Sequence, residues 1–269
     1  MLLTAIVLFV VVTFLSQRYA WWRSAVDYRH PRILMYHMVR EHRPGAAFNK
    51  LRVPPAAFEA QLAWLSSRGW HFATMSELGS GDALPTKTVV LTFDDGYEDN
   101  LLNADAVLKR YGARATLYLV EDRVDRDWST SKKAHHDSGE LMEEPKLSDD
   151  QLRSMIDSGR WELGGHTRTH ANLASVSSEA RRREIIDART TLAAQFDVPV
   201  ESFAYPFGIY GPEDVATVRD AGFTTAVTTE EGIAPQPYEH PLELPRIKVS
   251  GKDGLFAFRL RLRSGRRGL

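Results

Sequence analysis

Short apolar runs alternate with helical stripes through most of this chain, and no other feature constrains its fold as strongly. Segments 33–36, 88–93, 115–120, 161–164, 202–205 and 224–228 read as strands, with 88–93 (TVVLTF) apolar enough to be buried on both faces. Pro54 and Pro55 open a helix with Phe58, Leu62 and Leu65 on one face, stopped near Gly69. A second helix covers 101–111 and ends at Gly112. A third starts at Ser148 with Gln151 as its capping-box partner, and Leu152, Met155 and Ile156 form its stripe. A long helix covers 178–196, with Ile185, Leu192 and Phe196 inward and the 181–183 arginines as a solvated face. The last covers 212–221, closed by Gly222. Repeated strand-then-helix units predict one α/β domain with a mainly parallel sheet and helices outside, and 269 residues suffice for it.

The amino terminus breaks this pattern. Residues 1–16 (MLLTAIVLFVVVTFLS) carry no charged side chain, and Tyr19, Trp21 and Trp22 follow where an interfacial belt would sit. Taken together, 1–22 approaches the roughly 20 residues that cross a bilayer. No Lys or Arg precedes the run and no A-x-A site follows it, which favours an uncleaved anchor over a signal peptide. The expectation is one transmembrane helix with membrane lipid as its partner, in a single-pass protein of the cell (inner) membrane. Arg18, Arg23, Arg29 and Arg32 lie after the span, so the charge bias favours the cytoplasmic face, an exported location being the alternative. Residues 23–31 read as a juxtamembrane linker, 32–250 as the globular domain and 251–269 as a basic tail. The tail alternates apolar and basic residues, which fits an anionic lipid surface or a frayed terminus. The polar stretch 121–146 has no period. Its Trp128, His135 and His136 could line a sugar site or belong to a solvated loop.

Composition narrows the chemistry. A formal net charge of −1 argues against a nucleic-acid partner. With no cysteine there is no disulfide, no thiolate nucleophile and no Cys-ligated metal, so any ion must be held by His, Asp or Glu. In parallel α/β folds functional groups gather at the carboxyl ends of strands. One such end carries Asp94 and Asp95, which could bind a cation or serve as a helix cap. Another carries His166 and His170, whose i, i+4 spacing can grip a divalent metal but is weak evidence alone. A third ends in Tyr205-Pro206-Phe207-Gly208, a turn that can aim backbone N–H groups at a substrate. Asp/His/His with open positions would suit hydrolysis, the ion polarising a carbonyl and acidifying a water.

TFDDGY, the HTxxH of GGHTRTH and the strand-end FAYPFG, in that order, resemble the polysaccharide deacetylase (NodB-homology, carbohydrate esterase family 4) domain across residues 32–249. The resemblance implies a distorted (β/α) barrel of the polysaccharide deacetylase type, here preceded by one transmembrane helix. It also implies a divalent cofactor, Zn2+ first and Co2+ or Ni2+ as alternatives. By the same match Asp94 is the general base and Asp95, His166 and His170 hold the metal. The turn at Phe207, with Tyr205 and Pro206, supplies oxyanion and substrate contacts. Two positions depart from the family. Ala204 stands where many members have Arg, so the partner of the base must come from elsewhere; Arg246 is the candidate, a plain surface Arg the alternative. The family's C-terminal Leu-x-His is also missing, and His240 lies in a poorly matching Pro-rich loop. Instead His37, in Met35-Tyr36-His37-Met38-Val39, resembles the circularly permuted branch typified by poly-β-1,6-N-acetylglucosamine deacetylases, whose acid His comes first. A His closing a core strand is the bland alternative.

The implied activity is metal-dependent removal of an N-acetyl group from an amino sugar of a cell-envelope glycan or glycolipid. The substrate is either an exopolysaccharide such as poly-N-acetylglucosamine or a lipid-linked or lipopolysaccharide-core sugar. An inactive glycan-binding protein of the same fold and an O-acetyl esterase are the competing readings.

Overall fold

The computed structural model describes residues 2–126, 139–236 and 238–268. Trp128, His135 and His136 lie outside them. The strands are β1 (Arg32–Tyr36), β2 (Met38–Val39), β3 (Arg52–Val53), β4 (His71–Ala73), β5 (Thr88–Asp95), β6 (Ala115–Leu119), β7 (Trp161–Gly165), β8 (Ser202–Ala204), β9 (Thr225–Glu231) and β10 (Leu244–Lys248). Eight of them form one sheet in the order β1-β10-β9-β8-β7-β6-β5-β4, and β1 also pairs with β5. That extra pairing closes β1 and β5 to β10 into a parallel barrel of seven strands. The short β4 lies beside the first half of β5, opposite Thr88–Val90, while β6 takes over from Leu91. Because every pairing is parallel, all the carboxyl ends open at one rim.

β5 runs between β1 and β6 and is buried along its whole length, which explains its unbroken apolar sequence. Tyr36 stacks on Phe93 with ring centroids 5.2 Å apart, and Phe58 and Trp161 meet Phe93 edge-on at 5.9 and 5.1 Å. These contacts tie the barrel wall to helix Pro55–Ser67. β10 escaped the sequence reading because Pro245 argues against an interior strand. Its register against β9 shifts between Leu244 and Arg246, and the proline sits in that irregularity, where no ladder donor is required.

Two helices expected to be continuous are interrupted by π turns. Residues 101–111 divide into a π turn, Asn100–Ala104, and an α-helix, Asp105–Tyr111, which Gly112 ends in the left-handed conformation. Residues 178–196 divide into Ser178–Arg182, a π turn at Arg183–Asp187, and Ala188–Phe196. Arg181, read as part of a solvated face, instead pairs with Asp214 and Glu213.

The expected transmembrane helix needs correction, and with it the single-pass membrane placement and the lipid partner. Helix Leu2–Tyr19 forms, but among the described residues no helix is long and apolar enough to cross a membrane. The apolar stretch stops before Gln17 and Arg18. At 1.5 Å per residue it rises only about 22 Å, short of a hydrocarbon core of about 30 Å. The end of this helix meets the C-terminal segment instead. Tyr19 packs edge-on against Phe256, with centroids 5.7 Å apart, and Val26 N–H donates to Arg263 O at 2.8 Å. The 251–269 segment contains helix Leu255–Ser264, which buries Ala257, Phe258, Leu260, Arg261 and Leu262.

Candidate active site

β5 delivers two aspartates to the rim. Asp95 has φ 81° and Gly96 φ 82°, so the chain turns sharply where the strand ends. At Gly96 a Cβ would stand 2.5 Å from Leu119 Cδ1 in a backbone conformation that side chains disfavour, so any other residue would have to displace Leu119. Both carboxylates are buried, and each finds a different environment.

Asp94 is held by Arg246, whose guanidinium is wholly buried. Arg246 Nη1 donates to Asp94 Oδ1 at 2.7 Å and Nη2 to Oδ2 at 2.8 Å, a bidentate pair. The fork is itself fixed: Nε donates to Thr228 O at 2.9 Å and Nη1 also to Thr92 Oγ1 at 3.1 Å. Burial alone would raise the Asp94 carboxyl, but the charge and hydrogen bonds of Arg246 outweigh it and hold the group below its ordinary range. His37 leaves the end of β1 and places Nε2 4.0 Å from Asp94 Oδ2.

Asp95 faces two imidazoles. His166 Nε2 and His170 Nε2 each lie 3.3 Å from Asp95 Oδ1. The three ligand atoms are within 4.8 Å of one another, and all three residues are buried. Asp95 Oδ1 is buried without a hydrogen bond of good geometry. His166 Nδ1 lies 2.7 Å from Ala204 O, an atom that can only accept, so Nδ1 carries the proton and Nε2 turns its lone pair toward the carboxylate. Two lone-pair atoms so placed need a second proton or a cation between them. Four donors around an ion at the 2.0–2.1 Å of zinc–nitrogen and zinc–oxygen bonds would stand about 3.3 Å apart along a tetrahedral edge. The donor set therefore fits a divalent metal. Burial opposes charge on His166, but Asp95 and Asp94 raise it, whereas for His170 burial prevails.

The His166–His170 turn is strained, with φ 63° at Thr167 and 56° at His170. Phe207, with φ 58°, sets its ring edge-on to His170, centroids 4.4 Å apart, and so borders the Asp95, His166 and His170 cluster. Pro206 is buried, and Tyr205 is committed to the fold: its hydroxyl donates to Leu242 O at 3.0 Å and its ring stacks on Tyr210. His240 is exposed. The rim thus brings together Asp94, Asp95, His166, His170, His37, Arg246 and Phe207. The sequence reading missed Thr92 and Asn100, which bond to Arg246 and to the His37 carbonyl. It also missed Asp99, which bonds to the neighbouring Val39, and Glu184, which bonds to Arg168 and Thr169. Asp99, Asn100 and Glu184 sit on helices, where a polar residue reads as solvated surface.

The profile of the polysaccharide deacetylase family matches residues 81–226. YxkH of Bacillus subtilis strain 168, assigned to the polysaccharide deacetylases, is 30% identical over 235 residues, covering 86% of this chain and 75% of the relative. The poly-β-1,6-N-acetyl-D-glucosamine N-deacetylase of Staphylococcus aureus strain MRSA252 is 25% identical over 209 residues, covering 74% of this chain and 68% of the relative. The crystal structure of BC0361, a polysaccharide deacetylase from Bacillus cereus, superposes with a TM-score of 0.73 at 26% identity, over 87% of this chain and 69% of that one.

Proposed function

Because this chain belongs to the polysaccharide deacetylase family, hydrolases of carbon–nitrogen bonds, we propose that it removes the N-acetyl group from an amino sugar of a cell-envelope glycan. Of the two substrate classes, an N-acetylglucosamine polymer is favoured. The S. aureus relative is named for that polymer, and of the three features that suggest a lipid-linked sugar, the anchor, the basic tail and the charge bias, the anchor is overturned. The observation that carries the reading is the division of labour between adjacent carboxylates, Asp94 clamped by Arg246 and Asp95 turned to two imidazoles.

In this reading Asp95, His166 and His170 hold a divalent ion, zinc first. When bound, the ion polarises the acetamide carbonyl and acidifies a water. Asp94 takes the proton of the attacking water. Arg246 keeps it ionised and fixes both oxygens, leaving their remaining lone pairs for that proton. His37, beside Asp94 at the same rim, gives a proton to the leaving nitrogen, since expelling an amide anion is prohibitively uphill. Phe207 borders the ligands where the carbonyl would bind.

The test is acetate release from β-1,6-linked N-acetylglucosamine oligomers by the Zn2+-loaded chain and by the chelated chain. Acetate should appear only with metal, and Co2+ or Ni2+ should restore part of the rate. Bound metal without acetate from any amino sugar would point to a glycan-binding protein. Activity on acetyl esters alone would point to an O-acetyl esterase.

A further inference from the structure

Both π turns place side chains against a loop of the site. Asn100–Ala104 contains a backbone bond from Asp105 N–H to Asn100 O, five residues back rather than four, so the helix widens there. From this turn and the residue before it, three side chains grip the segment that leaves His37. Asn100 Nδ2 donates to His37 O at 2.9 Å, Asp99 Oδ1 accepts from Val39 N–H at 2.9 Å, and Asn103 Nδ2 donates to Val39 O at 2.8 Å. Asn100 is fully buried. From the second turn, Arg183–Asp187, Glu184 grips the metal-ligand turn. Its Oε2 accepts from Arg168 N–H at 3.0 Å and Thr169 N–H at 2.9 Å, and its Oε1 from Thr169 Oγ1 at 2.8 Å.

We propose that Glu184 and Asn100 are the positioning residues of the two halves of the site, Glu184 setting the His166–His170 turn and Asn100 setting His37. The inference rests on the ligand and proton-donor roles given above. The physical need differs in the two places. Thr167 and His170 occupy a backbone region that costs of order 1–3 kcal/mol per residue and persists only when neighbours over-determine it. Three hydrogen bonds to one carboxylate, all from the two residues between Thr167 and His170 and two of them from backbone N–H groups, supply that constraint. They brace the turn that sets His170 Nε2 3.3 Å from Asp95 Oδ1, alongside the Phe207 ring that meets His170 edge-on. His37 has no strained backbone. It sits between β1 and the two-residue β2, and its ring position beside Asp94 follows from where its carbonyl is pinned. A π turn suits both tasks, because the inserted residue turns the face before it by about 100° relative to the face after it. One face can then address the loop while the other packs on the barrel.

The experiment measures Zn2+ affinity of the full chain by chelator competition, together with hydrolysis of an N-acetyl sugar and of an activated acetyl ester. Glu184→Ala should weaken Zn2+ binding by about 10–100-fold. Both hydrolyses should fall together and recover at saturating Zn2+. Glu184→Gln keeps the Oε acceptor for both N–H groups and should bind Zn2+ close to the unaltered chain. Asn100→Ala should leave Zn2+ affinity unchanged and slow the amide by up to about 100-fold while slowing the ester much less, since only the amine needs a proton. Unchanged Zn2+ affinity in Glu184→Ala, or equal losses on both substrates in Asn100→Ala, overturns the proposal, whatever happens to thermal stability. His170→Ala and His37→Ala separate the causes. If His170→Ala also keeps its Zn2+, or His37→Ala also slows both substrates alike, the parent assignment is wrong and the positioning role falls with it. If those two behave as ligand and donor while the π-turn variants do not, only the positioning role is wrong.

Discussion

The barrel buries a guanidinium toward each end, and the two are satisfied in opposite ways. Arg32, at the start of β1, gives its N–H groups to backbone carbonyls: Nε to Leu262 at 2.9 Å, Nη1 to Asp27 at 2.8 Å and to His30, and Nη2 to Val26 at 2.7 Å. Its flat face covers Tyr28 at 4.7 Å. Everything there is closed, and the result is that the 26–30 segment and helix Leu255–Ser264 are fastened to the barrel floor. Arg246 reaches the opposite rim and gives two N–H groups to a carboxylate, beside another carboxylate whose Oδ1 has no good hydrogen bond. The floor uses its polar groups to hold the chain together, whereas the rim keeps acceptor capacity in reserve. At the rim Asp95, Thr167, His170 and Phe207 also occupy the left-handed region, strain that sits directly beside the clustered side chains.

If that division is right, variants at the rim change rates and variants at the floor change stability. The largest effect is expected for Asp94→Asn, which should keep its metal while acetate release drops by roughly 10²–10⁴-fold; near-normal turnover would remove Asp94 from the role of base. Next comes Arg32→Met, which strips four carbonyls, one buried and three part-buried, of their donor. It should lower unfolding free energy by about 3 kcal/mol or more in a denaturant titration. Its kcat per folded molecule should not move, and a fall in kcat at constant folded fraction would break the comparison. His37→Ala should retain metal and fold and slow the amide by about 10–100-fold more than an activated ester.

The smallest effect tests a rim group that serves the fold. Burial raises the Asp99 carboxyl to about 6 from an ordinary value of 3.8, against the pull of the Val39 N–H, and its Oδ2 lacks a partner. The folded chain therefore binds a proton at Asp99 that the unfolded chain has released. By linkage this group makes stability fall as pH rises from about 4 to about 6. Asp99→Asn keeps an oxygen for Val39 N–H and abolishes that pH term. Above pH 6 it should exceed the unaltered chain in stability by about 2–3 kcal/mol, and the difference should vanish as the pH falls below the unfolded value of 3.8. A gap independent of pH would mean that Asp99 is not protonated in the folded chain at mildly acidic pH.

Much of this organisation was legible before any coordinates. The 88–93 run ending on Asp94 and Asp95, the HTRTH turn, and the capping box at Ser148 and Gln151 are local patterns, written in neighbouring residues, and local patterns survive folding. The reading of 1–22 failed on a local quantity as well: the apolar count was extended across Gln17 and Arg18, although a charge shortens the usable rise of a helix. Strand β10 was hidden by Pro245, since propensity knows nothing of a register shift that excuses the missing donor.

What the sequence determined by itself is the alternation of strands and helices and the candidate side chains, Asp94, Asp95, His166 and His170, whose chemistry could hold an ion or carry a proton. Periodicity and side-chain chemistry are properties of each residue and its near neighbours. What only the tertiary structure decided is pairing. Arg246 meets Asp94 across 152 positions, Glu184 meets Thr169 across 15, and Asn100 meets the His37 carbonyl across 63. Closure of β1 onto both β5 and β10 brings the ends of distant strands to one rim. A buried charge or an orphaned lone pair is satisfied by whatever stands within about 3 Å of it, and that neighbour is fixed by the path of the whole chain.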